Sequence, residues 1–382
     1  MREAVPVAFY APLKSPHHPS PSGDRTMARL LLKGLAAAGF APFLASEMRS
    51  FDGRGDGPVQ ERLRIECGAE ADRLIAAAYR DRPAGQRPRL WFTYHVYYKA
   101  PDWIGPRVAD ALRIPYAIAE GSRAGKRAEG AWQFGHAGAE TALDRADIIF
   151  VMTEADKPAL ARARPATQRL VDLPPFIDSD DWPPSAPRHE GRAGLRFLTV
   201  AMMRSGDKLA SYRILAAALS RLADADWTLG VVGDGDARRE VEHLFAPFGG
   251  RVAFHGQVDD RARLAALFAE ADLLLWPAVN EAYGLALLEA QAFGCPVVAG
   301  AYGGVASVVR DGETGILTPP GDDTAFPAAV AALIADPRRR HALAAAASRF
   351  VAAERGLRPA AERLRSALMP LLENVRSSAA RP

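Results

Sequence analysis

Short apolar runs alternate with longer amphipathic ones along most of this chain, and the alternation occurs twice. In the first series, Val5–Tyr10 reads as a strand and Thr26–Ala38 as a helix that Gly39 can end. Strand-like Ala41–Ala45, Leu90–Tyr94, Tyr116–Ala119 and Ile148–Thr153 then alternate with helical Arg62–Arg80, Trp103–Leu112 and Trp132–Arg145. Repeated strand–helix units of this kind specify a parallel sheet covered on both faces.

The pattern breaks at Leu173–Pro187, LPPFIDSDDWPPSAP, which is rich in Pro and Asp and has no apolar period. It restarts with strands at Arg196–Ala201, Trp227–Val232, Val252–Phe254, Leu273–Trp276 and Val297–Ala299. Helices are expected at Tyr212–Leu222, Ala237–Phe245, Arg261–Glu270, Leu285–Phe293, Ala325–Ala335 and Arg338–Phe350, with a last one at Arg358–Val375. A chain of 382 residues exceeds what one core usually fills, so two α/β domains are expected. We divide it into residues 1–175, a linker at 176–190, a second domain at 191–356, and a terminal helix at 357–382 that packs back on the first domain.

Composition excludes several classes. Apolar residues at 49% and charged residues at 24% are ordinary globular values. The net charge is +3, and no dense Lys/Arg block or nucleic-acid motif occurs, so no nucleic-acid partner is expected. Up to Pro175 there are 25 Lys and Arg against 20 Asp and Glu. That excess suits an anionic acceptor or a peripheral contact with an anionic membrane surface. The start MREAVPVAFYAPLKSP lacks a signal-peptide apolar stretch, and no run reaches the roughly 20 apolar residues of a membrane span. Cys67 and Cys295 have no metal-ligand spacing and read as buried reduced thiols, which together with the start points to the cytoplasm.

The most informative stretch is NEAYGLALLEAQAFGCPVVAGAYGGVASVVRDGETGIL. An apolar strand ends at Pro277, a loop carries Glu281 and Gly284, and a helix carries Glu289 and stops at Gly294. The first amides of such a helix have no partner within it and can meet an anion. The two glutamates add acceptors for hydroxyl groups. The run resembles the E-x7-E signature of family 4 glycosyltransferases of the GT-B fold, including the later Gly303-Gly304 and Asp311-Gly312-Glu313-Thr314-Gly315 elements.

The resemblance implies two doubly wound Rossmann-like domains facing across a cleft and a retaining transfer from a nucleotide-diphosphate sugar, of UDP or GDP type. No cofactor and no metal are implied. Glu281 would hold donor-sugar hydroxyls and Glu289 the ribose, with the amides near Tyr283, Gly284 and Leu285 on the diphosphate. Arg204 and Lys208 follow the first strand of the second domain and correspond to the family's diphosphate-clamping basic pair. Here Ala201-Met202 stand where the family has Gly-Arg. Gly233-Asp234-Gly235 resembles the Gly-x-Gly turn beside the nucleotide, and His255-Gly256 the turn next to the base. Asp234-Gly235-Asp236 and Asp178-Ser179-Asp180 also have D-x-D spacing, but both lie in turn-forming sequence and are read as turns.

In the first domain the resemblance implies that His95 reaches toward donor sugar and acceptor, to orient a hydroxyl or to bond a sugar oxygen. His136 is a second candidate. Gly23, Asp24 and Glu120 are expected on the acceptor side, with Ser22-Gly23-Asp24 capping the following helix. The acceptor could be a carbohydrate, a lipid-linked sugar or another molecule. The alternatives are an epimerase or phosphorylase of the same fold, or a non-catalytic nucleotide-sugar-binding protein.

Overall fold

The computed structural model describes residues 4–80, 86–183 and 194–379. Residues 184–190 of the expected linker lie outside the described residues. Two compact units form, one from Met1–Pro174 with Leu357–Pro382 and one from Pro175–Gly356.

The first unit holds β1 (Val5–Tyr10), α1 (Gly23–Ala37), β2 (Phe40–Ser46), α2 (Gly57–Arg80), β3 (Leu90–Val96), α3 (Gly105–Leu112), β4 (Tyr116–Gly121), α4 (Gln133–Arg145), β5 (Ile148–Val151), α5 (Lys157–Arg162) and β6 (Arg169–Asp172). Its six strands are parallel, in the order β2-β1-β3-β4-β5-β6. The period of two decides which face each side chain joins. Ala8, Tyr10, Trp91, Ile118 and Ile149 pack with Cys67 and Ala71 of α2 and with Val108, Ala142 and Leu143 of α3 and α4. Phe9, Phe92 and Phe150 line the other face, with neighbouring ring centroids 5.9 Å apart.

The second unit holds β7 (Leu195–Val200), α6 (Asp207–Ser220), β8 (Trp227–Val232), α7 (Arg238–Phe245), β9 (Val252–Gly256), α8 (Arg261–Glu270), β10 (Leu273–Trp276), α9 (Leu285–Ala292), β11 (Val297–Gly300), β12 (Gly315–Thr318), α10 (Ala325–Ala335) and α11 (Pro337–Glu354). The parallel order is β12-β11-β10-β7-β8-β9. β10 and β11 are buried at every position, as strands covered on both faces must be. The last helix, α12 (Leu357–Ala379), belongs to the first unit. There Arg365 donates to the Ala38 carbonyl at 3.0 Å, and Arg169 of β6 donates to the Ala367 carbonyl at 3.2 Å.

The structure corrects several expected boundaries. α6 begins at Asp207, not Tyr212, so Lys208 sits on a helix rather than in a loop. α1 begins at Gly23, with the Ser22 hydroxyl accepting from the Arg25 amide. α2 begins at Gly57. β6, β12 and α5 were not anticipated; the two strands are four residues each. Among the described residues no helix is long and apolar enough to cross a membrane. Cys67 and Cys295 are buried and form no disulfide.

In each unit the strand order reverses direction at one place, between β1 and β3 and between β7 and β10. Loops leaving the carboxyl ends of those strands diverge there, which opens a ligand crevice in doubly wound sheets. Five non-glycine residues among those described have positive φ; His95, Ala278 and Asn280 lie at such carboxyl ends, and Glu120 at that of the neighbouring β4. Backbone held in that region costs energy and tends to gather where a side chain must be aimed.

Candidate active site

In the second unit, the loops at the reversal carry the expected donor residues. Lys208, in the first turn of α6 after β7, forms an ion pair with Glu281 after β10. Both side chains are largely covered, 23% and 15% exposed, so their attraction is only partly screened by water. The indole of Trp276, the last residue of β10, donates to the same Glu281 oxygen at 3.1 Å, and Lys208 Nζ stands 5.4 Å from its ring. Glu281 is therefore aimed by two donors and a strand end. Sequence reasoning missed Trp276; its place five residues before Glu281 at the close of LLLW was the available signal.

The loop is held from behind by glycine. Gly303 has φ of 52°, and a Cβ there would stand 2.1 Å from the Glu281 carbonyl oxygen. The Gly304 amide donates to the Ala282 carbonyl at 2.6 Å. Gly284 precedes α9 with φ of 73°. Among the described residues, the amides of Gly284 and Leu285 have no acceptor, as expected at a helix start. Tyr283 is buried beside them.

Glu289 lies one turn into α9 and is half-buried. Burial pushes its carboxyl up to about 7, against the pull of the Arg261 guanidinium. Gly233 packs on the β7 loop, where a Cβ would meet the Ala201 carbonyl at 1.9 Å, and its amide donates to Gly256. The Asp234 carboxylate accepts from the Gly235 amide and from Arg238, and Asp236 accepts from the Ser205 hydroxyl at 2.8 Å. Asp178 likewise caps the Asp180 amide. Among the described residues no group of His, Cys, Asp or Glu is placed to hold a metal.

Two expected residues stand apart. Arg204 is exposed, ahead of α6, near Asp236, and is not part of the Lys208–Glu281 pair. The His255 ring lies against Gly230 on the sheet face, in a cavity of about 430 Å³ lined also by Leu198, Ala253 and Leu267. None of Lys208, Glu281 or Gly284 lines that cavity. Burial and Arg263 hold the His255 pKa below the usual imidazole value.

In the first unit, His95 at the end of β3 lies between carboxylates. Its Nδ1 is 3.0 Å from Asp24 in the first turn of α1, and its Nε2 is 3.7 Å from Glu120 at the end of β4. Burial alone would lower its pKa; Glu120 and Asp24 outweigh burial and raise it to about 9. Burial raises the Glu120 carboxyl, and the His95 charge opposes this. Burial acts on Asp24 in the same sense, but His95 wins and holds it below the ordinary range. Gly23 starts α1 with open space where a side chain would be. His136 is elsewhere, on α4, 3.7 Å from Glu140. Sequence reasoning missed Tyr97, whose ring is 4.8 Å from His95, and Asp156, which adds to its negative surroundings. A Thr153-x-x-Asp156 capping pattern after β5 was the signal for the second, and Thr153 does bond Asp156 at 2.6 Å.

Residues 195–336 match the glycosyl transferases group 1 family. The chain is 34% identical over 226 residues to a D-inositol 3-phosphate glycosyltransferase of Xylanimonas cellulosilytica, covering 55% of this chain and 54% of that protein. The chain thus spans about half the length of that curated relative. Sucrose-phosphate synthase of Thermosynechococcus elongatus superposes with a TM-score of 0.75 at 21% identity, over 97% of this chain and all of that one. Anabaena HepE, solved with UDP, superposes with a TM-score of 0.69 at 16% identity, over 96% of this chain and all of that one. The two doubly wound parallel sheets form a GT-B fold, and the E-x7-E run lies inside the segment that matches the glycosyl transferases group 1 family.

Proposed function

We propose that the chain is a retaining glycosyltransferase. It moves a sugar from a nucleoside diphosphate, of UDP or GDP type, to a carbohydrate, lipid-linked or other acceptor in the cytoplasm. The observation that carries this reading is the Lys208–Glu281 pair beside the unpaired amides of Gly284 and Leu285. A cation and oriented amides suit a diphosphate, while a carboxylate aimed by Trp276 suits sugar hydroxyls. The UDP in the HepE structure and the sugar-transferring names of the relatives support the same substrate class.

In the reaction, the acceptor oxygen bonds to the anomeric carbon as the bond from that carbon to the diphosphate breaks. The acceptor proton passes to the departing phosphate oxygen, on the face that the phosphate leaves, so configuration is retained. The growing phosphate charge is met by Lys208 and by the α9 amides, without a metal. Glu289 bonds the ribose. His95, charged and held by Asp24 and Glu120, donates a hydrogen bond rather than accepting a proton. No feature of these clusters favours the epimerase, phosphorylase or non-catalytic alternatives.

Thermal unfolding against UDP, GDP and their sugars, with and without EDTA, tests this. A ligand that binds only the native state raises the melting temperature. A rise with one nucleotide family, insensitive to EDTA, is expected. No rise with any of them overturns the donor assignment.

A further inference from the structure

The basic excess of the first unit is not spread evenly. On its helices, arginines pair with acids: Arg64 with Glu61, Arg73 with Glu70, Arg107 with Asp72, Arg145 with Asp110. At the carboxyl edge of its sheet Arg123 is paired with Glu140 and Asp144, but two other cations differ. Lys99, in the turn after β3, and Arg127, in the 3-10 turn Gly125–Arg127 after β4, have no carboxylate partner among the described residues. Each is anchored on aromatic rings instead. Lys99 Nζ stands 5.8 Å from the Tyr98 ring and 5.4 Å from that of Trp132, and the Arg127 guanidinium stands 5.4 Å from Tyr98. Tyr98 and Trp132 meet edge to face at 5.1 Å. Arg127 Nε is covered and has no hydrogen-bond partner.

Cation–π contact fixes where a long side chain points without neutralising it. Held 5.8 and 5.4 Å from one Tyr98 ring, the two cations are preorganised for an anion. The site is continuous with the His95 cluster, because Tyr97 lies 4.8 Å from His95 and 5.5 Å from Tyr98. We propose that Lys99 and Arg127, carried on Tyr98 and Trp132, form an anion-binding subsite for a phosphate-bearing glycosyl acceptor. The role as acceptor subsite rests on the glycosyltransferase reading; the anion binding does not. The phosphate can belong to a free metabolite or to a lipid headgroup.

Calorimetric titration of the full chain tests this, using inorganic phosphate, glucose 6-phosphate, and phosphatidylcholine vesicles with and without phosphatidylglycerol. Titration with UDP runs alongside. Replacing both cations, Lys99→Gln with Arg127→Gln, is expected to weaken phosphate binding by about tenfold or more while leaving UDP binding unchanged. Lys126→Gln, at an exposed neighbouring position, serves as a second variant, with a smaller and salt-sensitive loss expected. Loss confined to the soluble esters assigns a metabolite, and loss confined to phosphatidylglycerol vesicles assigns a headgroup. Unchanged binding in folded variants, no binding of any phosphate probe, or loss in Lys208→Met instead overturns the subsite. Absent UDP binding with phosphate binding that depends on Lys99 and Arg127 overturns the donor reading alone.

Discussion

Lys208 and Glu281 neutralise each other across the strand reversal of the second unit, although each is assigned to a different part of the donor. A diphosphate that binds Lys208 must compete with Glu281 for the lysine. Removing one partner should therefore not act like removing the other. In Glu281→Gln the lysine is released, and binding of the free nucleoside diphosphate should hold or tighten. Turnover of the nucleotide sugar should fall about 100-fold or more, since a positioned group acting on the reacting sugar is lost. In Lys208→Met both should fall. Parallel affinity and turnover measurements on the two variants check this; equal losses of nucleotide affinity would refute the assigned roles.

The legibility of the fold was uneven, for physical reasons. Fully buried runs such as LLLW and VVA announce themselves by hydrophobicity, whatever surrounds them. β6 does not, because as a four-residue edge strand with exposed ends it carries little apolar signal. β12 lies inside the Asp-Gly-x-x-Gly run and reads first as a turn. α6 was started at its first aromatic residue, whereas its true first turn is polar and faces the site. The same limit applies to function. Glu281, Lys208 and His95 stand in recognisable motifs, but Trp276 and Tyr97 matter through a partner that only the folded chain supplies.

Trp276 is expected to act through Glu281. Trp276→Phe keeps an aromatic ring facing Lys208 but removes the indole donor to the carboxylate. A hydrogen bond to a charged group contributes about 1.5–3 kcal/mol. Turnover should drop by roughly tenfold, with nucleotide affinity little changed. A variant that loses nucleotide affinity instead would show that the ring itself, and not its N–H, is what matters.

Gly303 should tolerate no side chain. Gly303→Ala places a methyl group against the Glu281 carbonyl oxygen, 2.1 Å away, at a φ of 52° that alanine also disfavours. The Glu281 loop must move, so activity should be nearly abolished and stability reduced by about 1–3 kcal/mol. Urea unfolding and transfer assays check both; a fully active variant would mean the loop adapts without cost.

His95 gives a pH signature. Its folded pKa, about 9, is above the ordinary imidazole value of 6.5. The native state then binds more protons than the unfolded chain between those values. Its contribution to stability is complete below about pH 6.5 and disappears as pH rises through about 9. His95→Gln should flatten the fall of stability over that window, read by chemical unfolding at a series of pH values. An unchanged slope would place the proton elsewhere in the cluster with Asp24 and Glu120.

Glu289 should show the opposite conflict between stability and function. Its carboxyl is pushed from 4.5 up to about 7 because burial disfavours the charge. Between those values the native state holds a proton that the unfolded chain has lost, so stability falls as pH rises toward 7. Glu289→Gln keeps the shape and removes that charge. The variant should be more stable than the parent above pH 7, by on the order of 1–3 kcal/mol. The assigned ribose contact pulls the other way, because an ionised carboxylate accepts a hydroxyl bond more strongly than an amide does. Nucleotide affinity of the parent should therefore rise as pH passes through about 7, and the variant should bind about tenfold more weakly and without that rise. Greater stability with undiminished affinity would remove Glu289 from the nucleotide site and leave it a buried acid.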